Sequence, residues 1–196
     1  FRRVLFRSGH RHGDAVFILG DALDGKHHLN PQVIGALAGA GGLTSDAPSA
    51  VNLSLLPNFK LVANLPYHIA SPLLANLAVD YPSMSLAIVM IQDEVGDRLA
   101  APPGGKDYGP LTIIVQAMCE VDRVTTLSPA CFWPQPGVDS VVLRLRRRTH
   151  PLTDDPAAEH DVPAWCRLRG FHLASNEPMD QGRYFRITRA KAPTTP

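Results

Sequence analysis

Apolar residues along the chain form short runs that predict buried β-strands. Gly20 and Asp21 end the first run and Asn64 ends the second, as expected of strands that lead into loops. Helical segments separate the strands, so the pattern predicts an α/β fold of βαβ units around a mostly parallel sheet. Ligands of such sheets bind beyond the carboxyl ends of the strands, and we expect the loops at Asp21 and Asn64 to share that edge. The four predicted strands are Ala15–Leu19, Phe59–Ala63, Ser85–Ile91 and Val138–Leu145.

Candidate helices are marked by capping residues and by apolar residues at helical spacing. Asn30 and Ser71 each precede a proline, and proline suits the first turn of a helix after such a cap. After Pro110 the apolar residues share one helical face, although the Thr-Ile-Ile-Val run keeps a strand open as the alternative. The predicted helices cover Pro31–Ala40, Leu73–Val79, Glu94–Ala100, the segment after Pro110 and a start at Asp161–Arg169.

The same pattern divides the chain into three parts. Residues 1–14 begin with a segment of no secondary-structure period, and we interpret them as an extraneous segment or an arm without regular structure. Residues 15–149 carry the α/β pattern, interrupted at 28–57 by a stretch rich in Gly, Ala, Ser and Pro that we interpret as an insertion. Residues 150–196 lack the apolar period of a helical bundle from His172 onward, and we expect this tail to be poorly ordered.

Composition excludes several classes of protein. A chain of 196 residues with 45% hydrophobic and 19% charged residues can bury a core, while a formal net charge of +1 does not by itself indicate nucleic-acid binding. Cys119, Cys131 and Cys166 form no CxxC pair, which argues against disulfides and zinc and suits a reducing cytoplasm. His27 and His28 lack further ligands at metal spacing. No apolar run approaches the roughly 20 residues that cross a bilayer, so we expect a cytoplasmic protein without a bound metal.

The turn Asn64-Leu65-Pro66-Tyr67 carries the most specific chemistry in the sequence. An Asn oxygen and a neighbouring backbone carbonyl can accept both hydrogens of an adenine N6 amine, and proline fixes the turn that presents them. Tyrosine offers a face on which a base taken out of its stack can lie. The alternative interpretation is a strand-ending turn in which the proline and the tyrosine only pack. The buried strand directly before the turn favours the functional interpretation.

Four blocks of sequence then reveal a family resemblance. In this order along the chain, they resemble the ribosomal RNA adenine dimethyltransferases that modify small-subunit RNA. The macrolide-resistance methyltransferases of the large subunit share the fold and a similar turn, but Ser71–Leu74 at the end of the first block and the third block favour the small-subunit enzymes. The blocks are Val62–Leu74 (VANLPYHIASPLL), Gln92–Leu99 (QDEVGDRL), Pro103–Leu111 (PGGKDYGPL) and Phe132–Leu145 (FWPQPGVDSVVLRL).

The resemblance implies a Rossmann-like class I methyltransferase fold and S-adenosylmethionine as cofactor. It implies that Asn64 through Tyr67 hold the target adenine and that Phe132 closes on the other face of the base. Asp21 and Ala22, after the first strand, would receive the adenine amine of the cofactor, with Asn64 at the same site. The implied partner is ribosomal RNA of the small subunit, bound by a monomer.

Basic residues are candidates for contact with the RNA backbone. Lys106 lies in a glycine-rich loop, and an arginine run follows the last predicted strand. Such a cluster can neutralise phosphates, although a solvated strand end explains the arginines equally well. The arginines assigned to RNA are Arg144, Arg146 and Arg147.

The sequence also departs from the family pattern. No glycine-rich cofactor loop precedes Ala15, so we expect the fold to lack its first strands and the chain to bind S-adenosylmethionine weakly. The segment 150–196 is interpreted as a remnant of the family's C-terminal helical domain. Two alternatives therefore stay open beside the enzyme: a non-catalytic RNA-binding or ribosome-assembly factor, and an inactive fragment.

Overall fold

The computed structural model describes residues 3–7, 15–19, 23–24, 28–38, 56–149, 158–169, 171–179 and 182–189. Asp21, Ala22 and residues 39–55 of the expected insertion lie outside this part of the chain. The strands are β1 Arg3–Arg7, β2 Ala15–Leu19, β3 Leu23–Asp24, β4 His28–Leu29, β5 Phe59–Asn64, β6 Met84–Gln92, β7 Cys119–Leu127, β8 Ser140–Arg147, β9 Phe171–Met179 and β10 Gly182–Arg189. The helices are α1 Pro31–Leu37, α2 Tyr67–Asp80, α3 Asp93–Ala100, α4 Pro110–Met118 and α5 Ala158–Arg169.

A four-stranded sheet in the order β5-β6-β8-β7 forms the centre of the fold. β5 and β6 are parallel, and β8 lies antiparallel to both β6 and β7. Three strands therefore run in one direction, as βαβ units require, and β8 runs against them. Its reversal is possible because β7 and β8 are joined by a loop rather than by a crossover helix. Strands and helices alternate as predicted, which confirms the α/β class.

One face of the central sheet is the main hydrophobic core. Alternate residues of β6 and β8 point to this face and are fully buried, and helices α2, α3 and α4 pack against the sheet. The alternation is why Val138–Leu145 is recognisable as a strand from sequence, whereas Ser85–Ile91 is recognisable as a short apolar run. The buried sheet residues are Ala87, Val89, Ile91, Val141, Leu143 and Leu145.

The other face of the sheet is more polar and more exposed. Directly paired residues share a face, and Val62, Ile88, Arg144 and Asp122 form one such row across the four strands. Val62 is 77% exposed, and Arg144 is bound to Asp122 at 3.0 Å. Exposed charged residues also explain why the sequence pattern does not predict β7, whose only fully buried residue is Cys119.

The start of α1 follows the capping prediction, whereas the start of α2 does not. The side chain of Asn30 accepts a hydrogen bond from the Gln32 N–H at 2.9 Å, with Pro31 in the first turn. α2 begins at Tyr67, so the prediction of a helix capped by Ser71 and opened by Pro72 is wrong. Pro66 takes the capping position, and Pro72 lies inside the helix, where the N–H that it lacks would have bonded to the carbonyl of His68.

Both ends of the chain contain more regular structure than the sequence predicts. Arg3–Arg7 pairs antiparallel with Ala15–Leu19 in a separate two-stranded sheet, so the expectation of no regular structure is wrong for those five residues. Phe171–Met179 and Gly182–Arg189 form an antiparallel hairpin, which overturns the prediction of a poorly ordered tail. The hairpin is held by a second core in which Phe185 packs with Trp165 of α5 and Ile113 of α4.

Two further findings concern the described part of the chain. None of its helices combines the length and the apolar character needed to span a membrane. In the same residues, no three His, Cys, Asp or Glu side chains come together as a metal-binding group.

Candidate functional site

The turn Asn64-Leu65-Pro66-Tyr67 connects the end of β5 to the start of α2. Leu65 anchors it: the side chain is buried, and its N–H donates to the carbonyl of Met90 on β6 at 3.0 Å. Asn64 and Pro66, on either side of this anchor, are exposed. The turn therefore presents its polar groups outward at the carboxyl edge of the two parallel strands, where α/β sheets bind ligands.

Tyr67 is held by a residue that the sequence does not single out. Its hydroxyl lies 3.0 Å from Oγ of Ser140, the buried first residue of β8, and its ring remains 37% exposed. The bond joins the first residue of α2 to the sheet and fixes the far end of the ring. Ser140 is missed from sequence because one small polar residue at the start of an alternating strand is a common feature.

Phe132 lies in a loop that returns to the same edge. Ser140 pairs with Gln92 at the end of β6 and with Leu127 at the end of β7, so the loop of residues 128–139 begins and ends there. Phe132 follows a 3₁₀ turn, its N–H donates to the Pro129 carbonyl at 3.2 Å, and its side chain is half-buried. The fold therefore brings the Phe132 loop to the edge that carries Asn64 and Tyr67.

The start of α3 completes this edge. Asp93 donates its N–H to the carbonyl of Asp139 at 3.0 Å, which ties the helix start to the residue before β8. Arg123 of β7 contacts the carboxylates of both Asp93 and Asp97, at 2.5 and 2.6 Å. Arg123 ties both acids to the sheet and offsets one of their two negative charges, so the pair supports the edge.

Of the three predicted cofactor residues, Asn64 lies in the described part of the chain. Asp21 and Ala22 lie outside the described residues, and β2, which precedes them, pairs with β1 rather than joining the central sheet. Their position at a shared edge with Asn64 stays a prediction.

The predicted RNA-binding residues have three different surroundings. Lys106 is 91% exposed and lies 4.0 Å from the carboxylate of Asp107, a weak contact at the surface. Arg144 and Arg146 are ion-paired to Asp122 and Glu120 of β7, at 3.0 and 3.3 Å. Arg144 is four residues along β8 from Ser140, about 13 Å at the rise of a strand. For these three residues an RNA role stays a prediction.

Arg147 points into the protein and serves the fold. Its guanidinium donates to four backbone carbonyls around the end of α2, and burial lowers the pKa of the group below its usual value. These bonds leave one N–H of the guanidinium for any other partner. Arg147 is therefore left out of the proposed RNA-binding residues. The four acceptors are the carbonyls of Leu77, Ala78, Tyr81 and Met84.

The three cysteines are free thiols with different surroundings. Burial raises the pKa of Cys119, an effect that nearby Arg147 partly offsets, and burial raises the pKa of Cys166 to about 11. Both thiols therefore stay protonated and unreactive at neutral pH. Cys131 is exposed in the loop beside Phe132.

These features define an α/β protein whose strand-end turn can hold a flat, polar ring. A family model described as ribosomal RNA adenine dimethylase matches residues 36–167. The chain therefore belongs to the ribosomal RNA adenine dimethylase family. The match includes the turn, the Phe132 loop and all four strands of the central sheet.

Two curated relatives and one solved structure are similar to parts of this chain. Ribosomal RNA small subunit methyltransferase A of Clostridium acetobutylicum is 49% identical over 92 residues, covering 47% of this chain and 33% of the relative. The protein of the same name from Geobacillus thermodenitrificans is 50% identical over 108 residues, covering 55% of this chain and 36% of the relative. The crystal structure of a dimethyladenosine transferase from Plasmodium falciparum is 36% identical, covers 48% of this chain and 35% of that chain, and has a TM-score of 0.45. The chain thus spans about a third of the length of the curated relatives it matches.

Proposed function

We propose that this chain contributes the adenine-binding edge of an enzyme that transfers methyl groups from S-adenosylmethionine to N6 of adenines in small-subunit ribosomal RNA. Membership of the family and the names of the relatives support the reaction and the substrate. The observation that carries the proposal is the outward-facing Asn64 beside a tyrosine fixed to Ser140 at 3.0 Å. No membrane and no metal take part in this proposal, and the protein acts as a monomer in the cytoplasm.

Adenine N6 needs help to act as a nucleophile because its lone pair is delocalised into the ring. Asn64 accepts a hydrogen bond from the amine, and a backbone carbonyl of the turn accepts the other, which draws electron density onto the nitrogen. The rigid anchor at Leu65 keeps both acceptors in place, so the amine is positioned rather than deprotonated in advance. The methylated amine becomes acidic and loses its proton to solvent.

Aromatic faces hold the base while the amine is aimed. The half-exposed ring of Tyr67 provides one face, and Phe132 on the returning loop provides the other. Stacking of this kind contributes about 1–3 kcal/mol per base. It offsets the cost of removing the adenine from its helix or loop, which is a few kcal/mol.

The cofactor supplies a methyl group carried on a positively charged sulfur. Asn64 suits a position next to the cofactor, because an uncharged, exposed amide at the carboxyl edge of β5 can contact both a polar ligand and the adenine. Asp21 and Ala22 are proposed to bind the adenine amine of the cofactor. On the RNA side, Lys106 is proposed to contact phosphate, and Arg144 and Arg146 can do so after releasing Asp122 and Glu120.

The domain division is part of the same proposal. Residues 15–149 form the methyltransferase portion, with 28–57 as an insertion. Residues 150–196 are appended to it, and their helix and hairpin pack on α2 and α4.

Methyl transfer to small-subunit RNA by the whole protein tests the role of the turn. Asn64→Ala is expected to lower the rate about 100-fold, the scale of losing one preorganised hydrogen-bonding group. Asn58→Ala is the matched control, because Asn58 is also exposed but precedes β5 at its opposite end. The measurement is incorporation of tritiated methyl groups into the RNA. Equal rates for Asn64→Ala and Asn58→Ala would rule out the proposed role of Asn64.

A further inference from the structure

Trp133 is the most exposed large apolar side chain among the described residues, and neither the fold nor the adenine-binding turn uses it. Its exposed fraction is 97%, whereas the other tryptophan of the chain, Trp165, is 5% exposed in the second core. An indole of this size normally buries most of its area or meets a partner. Trp133 makes no use of its apolar surface within the described part of the chain.

The position of Trp133 is set by the loop of residues 128–139. Both ends of this loop lie at the edge that carries Asn64 and Tyr67, because Ser140 pairs with Leu127 and bonds to the Tyr67 hydroxyl. Phe132 is half-buried, whereas the adjacent Trp133 is exposed to solvent. An exposed ring thus stands directly beside the residue that is proposed to cover the target adenine.

The backbone of the loop is restricted where Trp133 lies. Residues 128–139 read SPACFWPQPGVD, and their one acidic residue is Asp139, at the end of the loop. Two prolines follow Trp133 and restrict the backbone that carries it. A flat, exposed ring on such a backbone is suited to a stacking contact with a nucleobase.

We propose that Trp133 stacks on the nucleotide next to the target adenine and thereby binds unpaired RNA at the edge of the site. The inference rests on the proposed function, since taking an adenine out of its stack leaves a neighbouring base with an open face. Stacking tolerates any base, so the contact selects for unpaired structure rather than for sequence. A protein partner is disfavoured because one exposed ring is far smaller than the roughly 800 Å² per partner of a stable interface.

Fluorescence of the chain itself provides the first test. In the absence of cofactor, a single-stranded RNA dodecamer is expected to shield Trp133 from acrylamide, while a duplex of the same sequence shields it much less. Trp133→Phe leaves only the buried Trp165 and defines the background signal. Unchanged access of acrylamide at any RNA concentration, including the case in which the chain binds no RNA, would overturn the inference.

Affinity for the same RNA provides the second test. Trp133→Leu is expected to weaken binding about 5- to 150-fold, the equivalent of one lost base stack, and Trp133→Phe much less. Val124→Ala, an exposed apolar residue on β7 outside the loop, is the control and should bind like the parent chain. Equal RNA affinity of Trp133→Leu and the parent chain contradicts the inference. A result in which Trp133→Leu weakens self-association of the chain but not RNA binding contradicts it as well. Matching urea midpoints verify that the variants are folded.

The outcomes separate this inference from the proposed function. If unpaired RNA shields Trp133 of the chain but the whole protein transfers no methyl group, the proposed function fails and the stacking contact remains. If the whole protein methylates RNA and Trp133→Leu leaves the KM for RNA unchanged, the stacking contact fails and the methyltransferase assignment remains.

Discussion

Strand β8 has polar residues at both ends, and each end bonds to α2, one at the surface and the other inside the fold. At its first residue, Ser140 bonds to Tyr67 at the start of the helix and leaves the tyrosine ring half exposed. At its last residue, Arg147 donates to carbonyls at the end of the helix and is itself largely withdrawn from solvent. The same strand therefore fixes the helix twice, once at a surface that can meet a ligand and once inside the fold.

The comparison teaches that exposure, rather than residue type, separates binding groups from structural ones. A guanidinium is the usual partner of phosphate, yet Arg147 bonds to backbone carbonyls around the end of a helix. A tyrosine and a serine are ordinary core residues, yet their bond orients a ring toward solvent. Judged by charge alone, Arg147 would be assigned to ligand binding and Tyr67 to the core.

The largest expected effect comes from removing the buried end of this arrangement. Arg147→Met should lower the free energy of unfolding by about 3 kcal/mol, because several carbonyls lose a charged donor inside the protein. Arg146→Met is the control, since its ion pairs with Glu120 and Asp122 are exposed and should contribute less than about 1 kcal/mol. Urea unfolding measures both. Equal losses in the two variants would contradict the structural role of Arg147.

A smaller effect is expected at the exposed end. Tyr67→Phe and Ser140→Ala should each cost about 1 kcal/mol, and the double variant should cost no more than the larger of the two, since both remove one hydrogen bond. Ser85→Ala removes a hydroxyl that bonds to the Phe59 carbonyl at an exposed position and should have little effect. Additive losses in the double variant would show that the two residues act independently.

Several parts of the fold are predictable because their sequence patterns are local. The runs at Phe59–Ala63 and Ser85–Ile91 predict strands that the structure contains, and Asn30 with Pro31 predicts the cap of α1. β7 escapes prediction because it lies at the edge of the sheet with polar side chains on its exposed positions. The C-terminal hairpin escapes because its segments show no clear period. Ala15–Leu19 is predicted as a strand, but its partner Arg3–Arg7 shows no period that would reveal the pairing.

The site is predictable in part for a related reason. The sequence places Asn64 and Tyr67 at the end of a strand, and the structure contains that strand. The prediction that the strand is buried is wrong, because β5 lies at the edge of the sheet and has no fully buried residue. It does not reveal Ser140, which lies 73 residues from Tyr67 along the chain and meets it only through the sheet. Nor does it reveal that Arg144 and Arg147, three residues apart on one strand, point to different surroundings, since one faces Asp122 and the other faces the end of α2.

The last expected effect depends on pH and distinguishes the buried thiol of Cys166 from the exposed thiol of Cys131. The pKa of Cys166 rises from 9.0 to about 11 through burial, so the thiol stays neutral in the folded chain while it ionises in the unfolded chain. Stability from this group is fully present below pH 9 and is lost as the pH rises toward about 11. Cys166→Ala should reduce this alkaline decline in urea midpoints, and Cys131→Ala, at an exposed position, should not. A decline that persists unchanged in Cys166→Ala would exclude Cys166 as its source.

Recognition of the adenine amine by Asn64 is the central claim, and an atomic substitution in the RNA tests it most directly. Purine replaces the target adenine in a small-subunit RNA fragment and removes only the N6 amine, and binding to the whole protein is then measured for the parent and for Asn64→Ala. The account predicts that losing the amine weakens binding to the parent about tenfold more than binding to the variant, the scale of one buried hydrogen bond, because in the variant only the backbone carbonyl still accepts from the amine. An equal loss in both proteins would show that Asn64 does not contact the amine.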